Sequence, residues 1–182
     1  MNRTVRLTAQ ISLLLTLLAL SAFLLSRTYL GDAERVYRDG AVTEVVGQGP
    51  VTIGKVRWNL DSLQPYTQLA DSERKKIELD QPAGSVVILV TASITPLDGL
   101  KMGLSGFTCT AMLRDDRGNL WKSQSASGYF LPTYCGDDDH PFTRNKTGRI
   151  AQIYVVPQSA VPHLSGIQVE NSEEQRRVLL TR

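Results

Sequence analysis

The chain has 182 residues, 42% hydrophobic and 21% charged, with 20 Lys and Arg against 18 Asp and Glu and a formal net charge of +2. The charge is unevenly placed: Arg3 and Arg6 precede an uncharged run, every acid lies after it, and the part after the run carries 18 basic residues against 18 acidic ones. That balance gives no signal of nucleic-acid binding, and none is expected; the basic triplet Arg74-Lys75-Lys76 follows Asp71 and Glu73.

The uncharged run covers 7–26, is mostly Leu, and lies between Arg6 and Arg27. A helix of about 20 apolar residues crosses the roughly 30 Å hydrocarbon core of a bilayer, so the run predicts a transmembrane helix. Positive charge unopposed on its N-terminal side predicts a cytoplasmic tip at 1–6 and an extracytoplasmic remainder. The competing reading is a cleaved signal peptide, with Ala19-Leu20-Ser21 or Leu20-Ser21-Ala22 before the cut, but the apolar run continues past both through Phe23, Leu24 and Leu25. Either reading exports the rest of the chain. The expectation is a single-pass protein of the cell membrane, with about 155 residues outside, enough for one domain.

Residues 27–42 are polar and charged, with Gly31 and Gly40 as breaks, and read as a juxtamembrane stalk. Leu30, Ala33, Val36 and Tyr37 fall at helical spacing, which allows a short helical extension of the anchor. From 43 to 182 the pattern is β. Alternation through Ile53, Val56, Trp58 and Leu60 predicts one half-buried strand over 51–63, bent or bulged at Gly54. Residues 64–84 read as a long polar connection. Ser85–Thr95 is β-branched or apolar at nearly every position, the mark of a central strand. Phe107, Cys109, Ala111 and Leu113 share one face of the next strand, the 115–119 segment is a hairpin turn, and Leu120-Trp121 begins the return. An irregular stretch, 124–147, leads to a strand at 148–157, in which Ile150, Gln152, Tyr154 and Val156 oppose Ala151, Ile153 and Val155. Two short strands, 166–169 and 177–181, flank an acidic turn. About seven strands with turn signals between them predict an antiparallel β-sandwich, mainly β apart from the one N-terminal helix.

Cys109 and Cys135 are the two cysteines. In an exported domain they are expected to form a disulfide closing a loop of about 25 residues, worth about 3 kcal/mol; a redox pair normally has Cys-x-x-Cys spacing. Asp137, Asp139 and His140, with Asp138 between them, are the one dense group of metal-type ligands, suited to Ca²⁺ or, through His140, a transition metal. No EF-hand spacing supports them, and a solvated acidic loop is the competing reading, so no cofactor is expected. Tyr129, Phe130 and Tyr134 stand in an otherwise polar loop and read either as core filling or as a partner-binding loop. No nucleophile elbow, phosphate loop, dinucleotide fingerprint or zinc-protease motif occurs, and His163, between Pro162 and Leu164, reads as a loop residue.

Gly-Pro-Val-Thr-Ile-Gly-Lys-Val-Arg-Trp at 49–58, Val-Thr-Ala-Ser-Ile-Thr-Pro at 90–96 and Thr-Cys-Thr-Ala-Met-Leu-Arg-Asp-Asp-Arg-Gly-Asn-Leu-Trp at 108–121 together resemble immunoglobulin-like domains of bacterial membrane-anchored proteins of unknown function. The resemblance implies an immunoglobulin-like sandwich over about 49–158. An anchor joined to such a domain also resembles accessory subunits of actinobacterial envelope complexes, among them those attached to the cytochrome bcc–aa3 respiratory supercomplex. That likeness implies a non-catalytic accessory or assembly subunit whose partners are the membrane and other membrane-protein subunits. The alternative is an extracytoplasmic ligand- or Ca-binding module using 137–140.

Overall fold

The structure, a computed structural model, describes residues 3–97, 109–126, 128–135 and 142–181. The chain divides into two compact units, Met1–Ala41 and Val42–Arg182.

The first unit is α1 (Arg3–Arg38), one uninterrupted helix. It takes in the expected span at 7–26 and the helical extension that Leu30, Ala33, Val36 and Tyr37 allow, and it passes through Gly31, which reads as a break, to Arg38. One interior Gly costs a helix about 1 kcal/mol, which the Arg, Leu, Ala and Glu residues around it outweigh. The helix ends where Ala41 N–H donates to the Val36 carbonyl and Gly40 N–H to that of Tyr37, both at 3.1 Å. These two bonds cap carbonyls that the last turn leaves open. Side chains are described from Gln10 to Leu25, where the large apolar residues from Ile11 to Leu25 are 52–64% exposed. Among the described residues, no helix is long and apolar enough to cross a membrane.

The second unit is a β-sandwich. One sheet has the order β1 (Glu44–Val46), β9 (Arg176–Thr181), β8 (Leu164–Asn171), β5 (Met112–Asp115), β6 (Leu120–Trp121). The other has β2 (Val51–Ile53), β3 (Val56–Tyr66), β4 (Ser85–Pro96), β7 (Gly148–Pro157). Neighbouring strands are antiparallel except β1 and β9, which are parallel from Glu44↔Val178 to Val46↔Leu180.

The single strand expected over 51–63 is a hairpin. Gly54 and Lys55 both have positive φ, 57° and 61°, and form the two-residue turn between Ile53 and its partner Val56. Positive φ at both positions gives the turn whose twist matches a hairpin. The pairing of β3 with β4 shifts register between Leu60 and Ser62, leaving Asp61 bulged. β3 then runs to Tyr66, farther than the sequence pattern shows, with Pro65 opposite Ile88. Proline is tolerated there because β2 pairs with β3 only over 56–58, so the flank of Pro65 away from β4 is an open edge.

The main core lies between the sheets and includes Trp58, Ile88, Ile94, Leu113, Ile150 and Leu180, all fully buried. A second cluster covers the outer face of β4 and β7: Val87, Leu89, Ala151 and Ile153 pack with Leu69 and Ile77 from the 67–84 connection and with Ala126. Burial on both faces is why Ser85–Pro96 reads as a continuous apolar run rather than an alternation. The two faces expected of 148–157 go one to each cluster, with Ile150, Tyr154 and Val156 in the main core and Ala151 and Ile153 in the second. Cys109 and Cys135 form the expected disulfide.

Candidate functional site

The irregular segment after β6 runs beside β7 and is pinned to it. Gln124 N–H donates to the Ile153 carbonyl at 2.7 Å, and Ala151 N–H donates to that of Pro132 at 2.9 Å. Gln124 and Asp80 exchange two bonds, Nε2 to the Asp80 carbonyl at 3.0 Å and the Asp80 N–H to Oε1 at 3.1 Å, which join this segment to the 67–84 connection. The disulfide fixes its far end to the chain entering β5.

This scaffold divides the aromatic loop in two. Tyr129 and Leu131 pack against the second cluster, whereas Phe130 and Tyr134 are 63% and 59% exposed. The sequence leaves core filling and partner binding as alternatives; the structure shows core filling for Tyr129 and leaves Phe130 and Tyr134 exposed. The Tyr129 and Phe130 rings are tilted against each other with centroids 4.5 Å apart. Burial and the neighbouring Tyr66 push the Tyr129 phenol up, and Arg149 pulls it part of the way back.

Phe130 forms part of the wall of a groove of about 420 Å³. Leu131, Pro132 and Phe142 supply more apolar surface, and Lys146 and Arg149 bring two cations. The Phe142 ring fits because Gly148, beneath it, has no side chain: a Cβ there would stand 2.4 Å from a ring carbon. Arg149 Nε lies 3.6 Å from Asp61 Oδ2. Asp61 itself accepts from Asn59 Nδ2 at 2.8 Å and Ser93 Oγ at 2.7 Å, so neutral donors satisfy that carboxylate on β3 and β4.

Asp137, Asp139 and His140 lie outside the described residues. Among the described residues no group of three or more His, Cys, Asp or Glu is placed to hold a metal ion.

A polar cluster at the β5–β6 turn has no counterpart in the sequence reading. His163 ends a 3-10 helix, Gln158–His163, and is not a loop residue. Its Nε2 is 2.7 Å from Arg117 Nη2 and its Nδ1 is 3.1 Å from Asp116 Oδ2. A guanidinium only donates, so Nε2 accepts and Nδ1 carries the proton shared with Asp116. The ring nitrogen that would activate a nucleophile is thereby occupied.

Beneath this cluster Asp115 is 3% exposed. Burial alone would raise its pKa. Bonds to the carboxylate from the Asn119 side chain (2.8 Å), the Asn119 amide (2.7 Å) and the Arg117 amide (3.0 Å) outweigh that and hold the pKa below its ordinary value of 3.8. A carboxyl with a lowered folded pKa contributes stability that is fully present above the unfolded value and lost as pH falls through the folded one. Unfolding free energy should therefore decline below about pH 4. Asp115→Asn should lose about 1–3 kcal/mol at neutral pH and flatten that decline, as read by denaturant titration across the acid range. An unchanged slope would count against the buried carboxylate.

No protein-family model matches the chain, and no curated protein matches it. Among solved structures it is similar to MPT63, a secreted protein from Mycobacterium tuberculosis, at 13% identity and a TM-score of 0.51 over 76% of this chain and 96% of that one. It is also similar to an uncharacterized β-sandwich protein from Clostridium difficile (13% identity, TM-score 0.49, 76% of this chain and 92% of that one). A third is a conserved hypothetical protein from Bacillus anthracis (15%, 0.49, 72% and 91%). The likeness to MPT63 extends to the fold and no further.

Proposed function

We propose that the chain is a non-catalytic, single-pass membrane protein with its N-terminal tip in the cytoplasm and an immunoglobulin-like sandwich outside, acting as an accessory or assembly subunit of a membrane-protein complex. The observation that carries this reading is α1. Apart from Ser12, Thr16 and Ser21, its side chains from Ile11 to Leu25 are apolar, and they are exposed around the helix, on Leu13, Leu14, Leu15, Leu17 and Leu18 alike. A helix apolar on all sides is stable in water only when covered, and flanking arginines with a cytoplasmic bias fit a bilayer as the cover. Phe130 and Tyr134, exposed on a loop that the disulfide and two backbone bonds hold in place, supply anchors for a protein partner. The occupied Nε2 of His163 supports a non-catalytic role. Among candidate complexes, the build of the chain favours the actinobacterial cytochrome bcc–aa3 supercomplex.

The test is affinity purification of the tagged full-length protein from native membranes in mild detergent, with mass spectrometry of what co-purifies. The expected result is a stoichiometric set of membrane subunits that is lost in a Phe130→Ser/Tyr134→Ser variant. Recovery of the protein alone, under conditions in which membrane complexes survive, would sink the proposal.

A further inference from the structure

The groove beneath Phe130 has a chemistry that the proposed role does not use. One part is hydrocarbon: Phe130, Leu131, Pro132 and Phe142. The other carries Lys146 and Arg149, and among the described residues no carboxylate lines it. Asp61 offsets part of the Arg149 charge from β3, and Lys146 leaves the described part of the lining net positive. Its volume, about 420 Å³, lies within the range of sites that enclose one small ligand. We propose that this groove binds a single-chain anionic amphiphile, with the chain against the apolar wall and a carboxylate or phosphate head between Lys146 and Arg149.

The alternatives fit less well. An extended peptide gains affinity by joining a sheet edge, but the β7 edge beside the groove is already bonded to the chain's own backbone, through Ala151 to Pro132 and Ile153 to Gln124. A neutral apolar ligand would leave two cations unused at the rim. A cationic ligand would meet both of them. The inference goes beyond the subunit role and rests on it for the membrane anchor that the nanodisc holds; Phe130 is common to both, and Lys146, which the subunit role does not use, separates them.

The experiment holds the full-length chain in phosphatidylcholine nanodiscs and adds decyl phosphate with a photoreactive diazirine at the chain end, mapping the crosslinked peptides by mass spectrometry. Labelling is expected within 129–135 and 142–149, displaced by unlabelled decyl phosphate and not by decanol. Lys146→Glu should reduce it about five-fold or more while unfolding at the wild-type temperature. If that variant unfolds early, Lys146→Ala and Phe130→Ser, at exposed positions, are read in its place and should each weaken labelling. Labelling confined to α1, equal displacement by decanol, or wild-type labelling of a folded Lys146→Glu protein would overturn the proposal. So would labelling that anionic phosphatidylglycerol in the disc abolishes and soluble decyl phosphate does not, since the groove would then read a bilayer surface.

Discussion

Gly166→Ala is expected to destabilise the sandwich by about 3–5 kcal/mol, enough to leave much of the protein unfolded if its stability is at the low end for a domain of this size. Gly166 sits where β8 lies between two partners, opposite Arg114 of β5 and Thr181 of β9. The pairing with β5 is irregular there: Arg114 faces Gly166 and Asp115 faces Leu164, so β8 has one residue more than β5. The extra residue is accommodated at φ +155°, a backbone conformation that residues with a Cβ rarely adopt. The strands also approach so closely that a Cβ at Gly166 would lie 1.9 Å from the Leu180 carbonyl oxygen. That oxygen is backbone within the sheet and cannot rotate away as a side chain would. Alanine therefore incurs conformational strain and steric overlap together, and relief requires β8 and β9 to separate. The measurement is the denaturant midpoint of the variant against the wild type, with the slope checked for constancy. An unchanged midpoint would mean that the two strands do not meet as described. Gly118, at φ +86° in the exposed β5–β6 turn, with 3.6 Å of clearance to the Arg114 guanidinium, is the control: alanine there meets strain without overlap and should cost much less.

The parts of this fold that are legible in the sequence are those where one physical signal dominates. β4 and β7 declare themselves because each is buried on both faces, and the opposed sets in 148–157 go to separate clusters. The expected alternation holds in burial at Cys109, Ala111 and Leu113, but the strand itself is only β5, Met112–Asp115, and Phe107 lies outside the described residues. The failures have equally definite causes. The hairpin at Gly54-Lys55 reads as a bend because alternation passes through a two-residue turn without a break in phase. The end of β3 reads as loop because Pro65 is a strand breaker unless it stands on an open edge, and edges belong to the assembled sheet. β1 pairs with β9 across more than 130 residues of chain, which no local pattern carries. The same holds for the sites. Phe130 is legible as an aromatic in a polar loop, but its neighbours Lys146 and Arg149 are brought to it by β7, and His163 meets Asp116 and Arg117 only when the 3-10 helix folds back on the β5–β6 turn.

Trp58→Ala should lose about 3–5 kcal/mol, a loss of the same order as that at Gly166 but by the opposite mechanism, vacancy instead of overlap. Trp58 is fully buried on β3, facing Val51 of β2 and Ile94 of β4 across the strand pairs and packed in the cluster between the sheets. β2 contributes only Val51 and Ile53 to that core from a three-residue strand, so the indole is the main apolar mass holding the β2–β3 hairpin against the opposite sheet. Truncation forfeits the transfer energy of the ring and leaves a cavity that rigid neighbouring strands close only in part. Trp58→Phe separates the two contributions. It keeps an aromatic in place and should recover more than half of the loss. Equilibrium unfolding of the three proteins, monitored by circular dichroism so that the signal does not depend on the residue replaced, gives both differences. If Trp58→Ala costs less than about 1.5 kcal/mol, the ring is not sealed between the sheets. If Trp58→Phe costs as much as Trp58→Ala, shape rather than buried volume governs the site. A destabilised hairpin would also loosen the edge at Thr52, whose carbonyl accepts from Arg176 Nη1 at 3.0 Å and so links β2 to the β1–β9 pair through the Arg176–Glu44 ion pair. Faster amide exchange is then expected first in β2 and β1, and later in β4 and β7, which keep their cover on both faces.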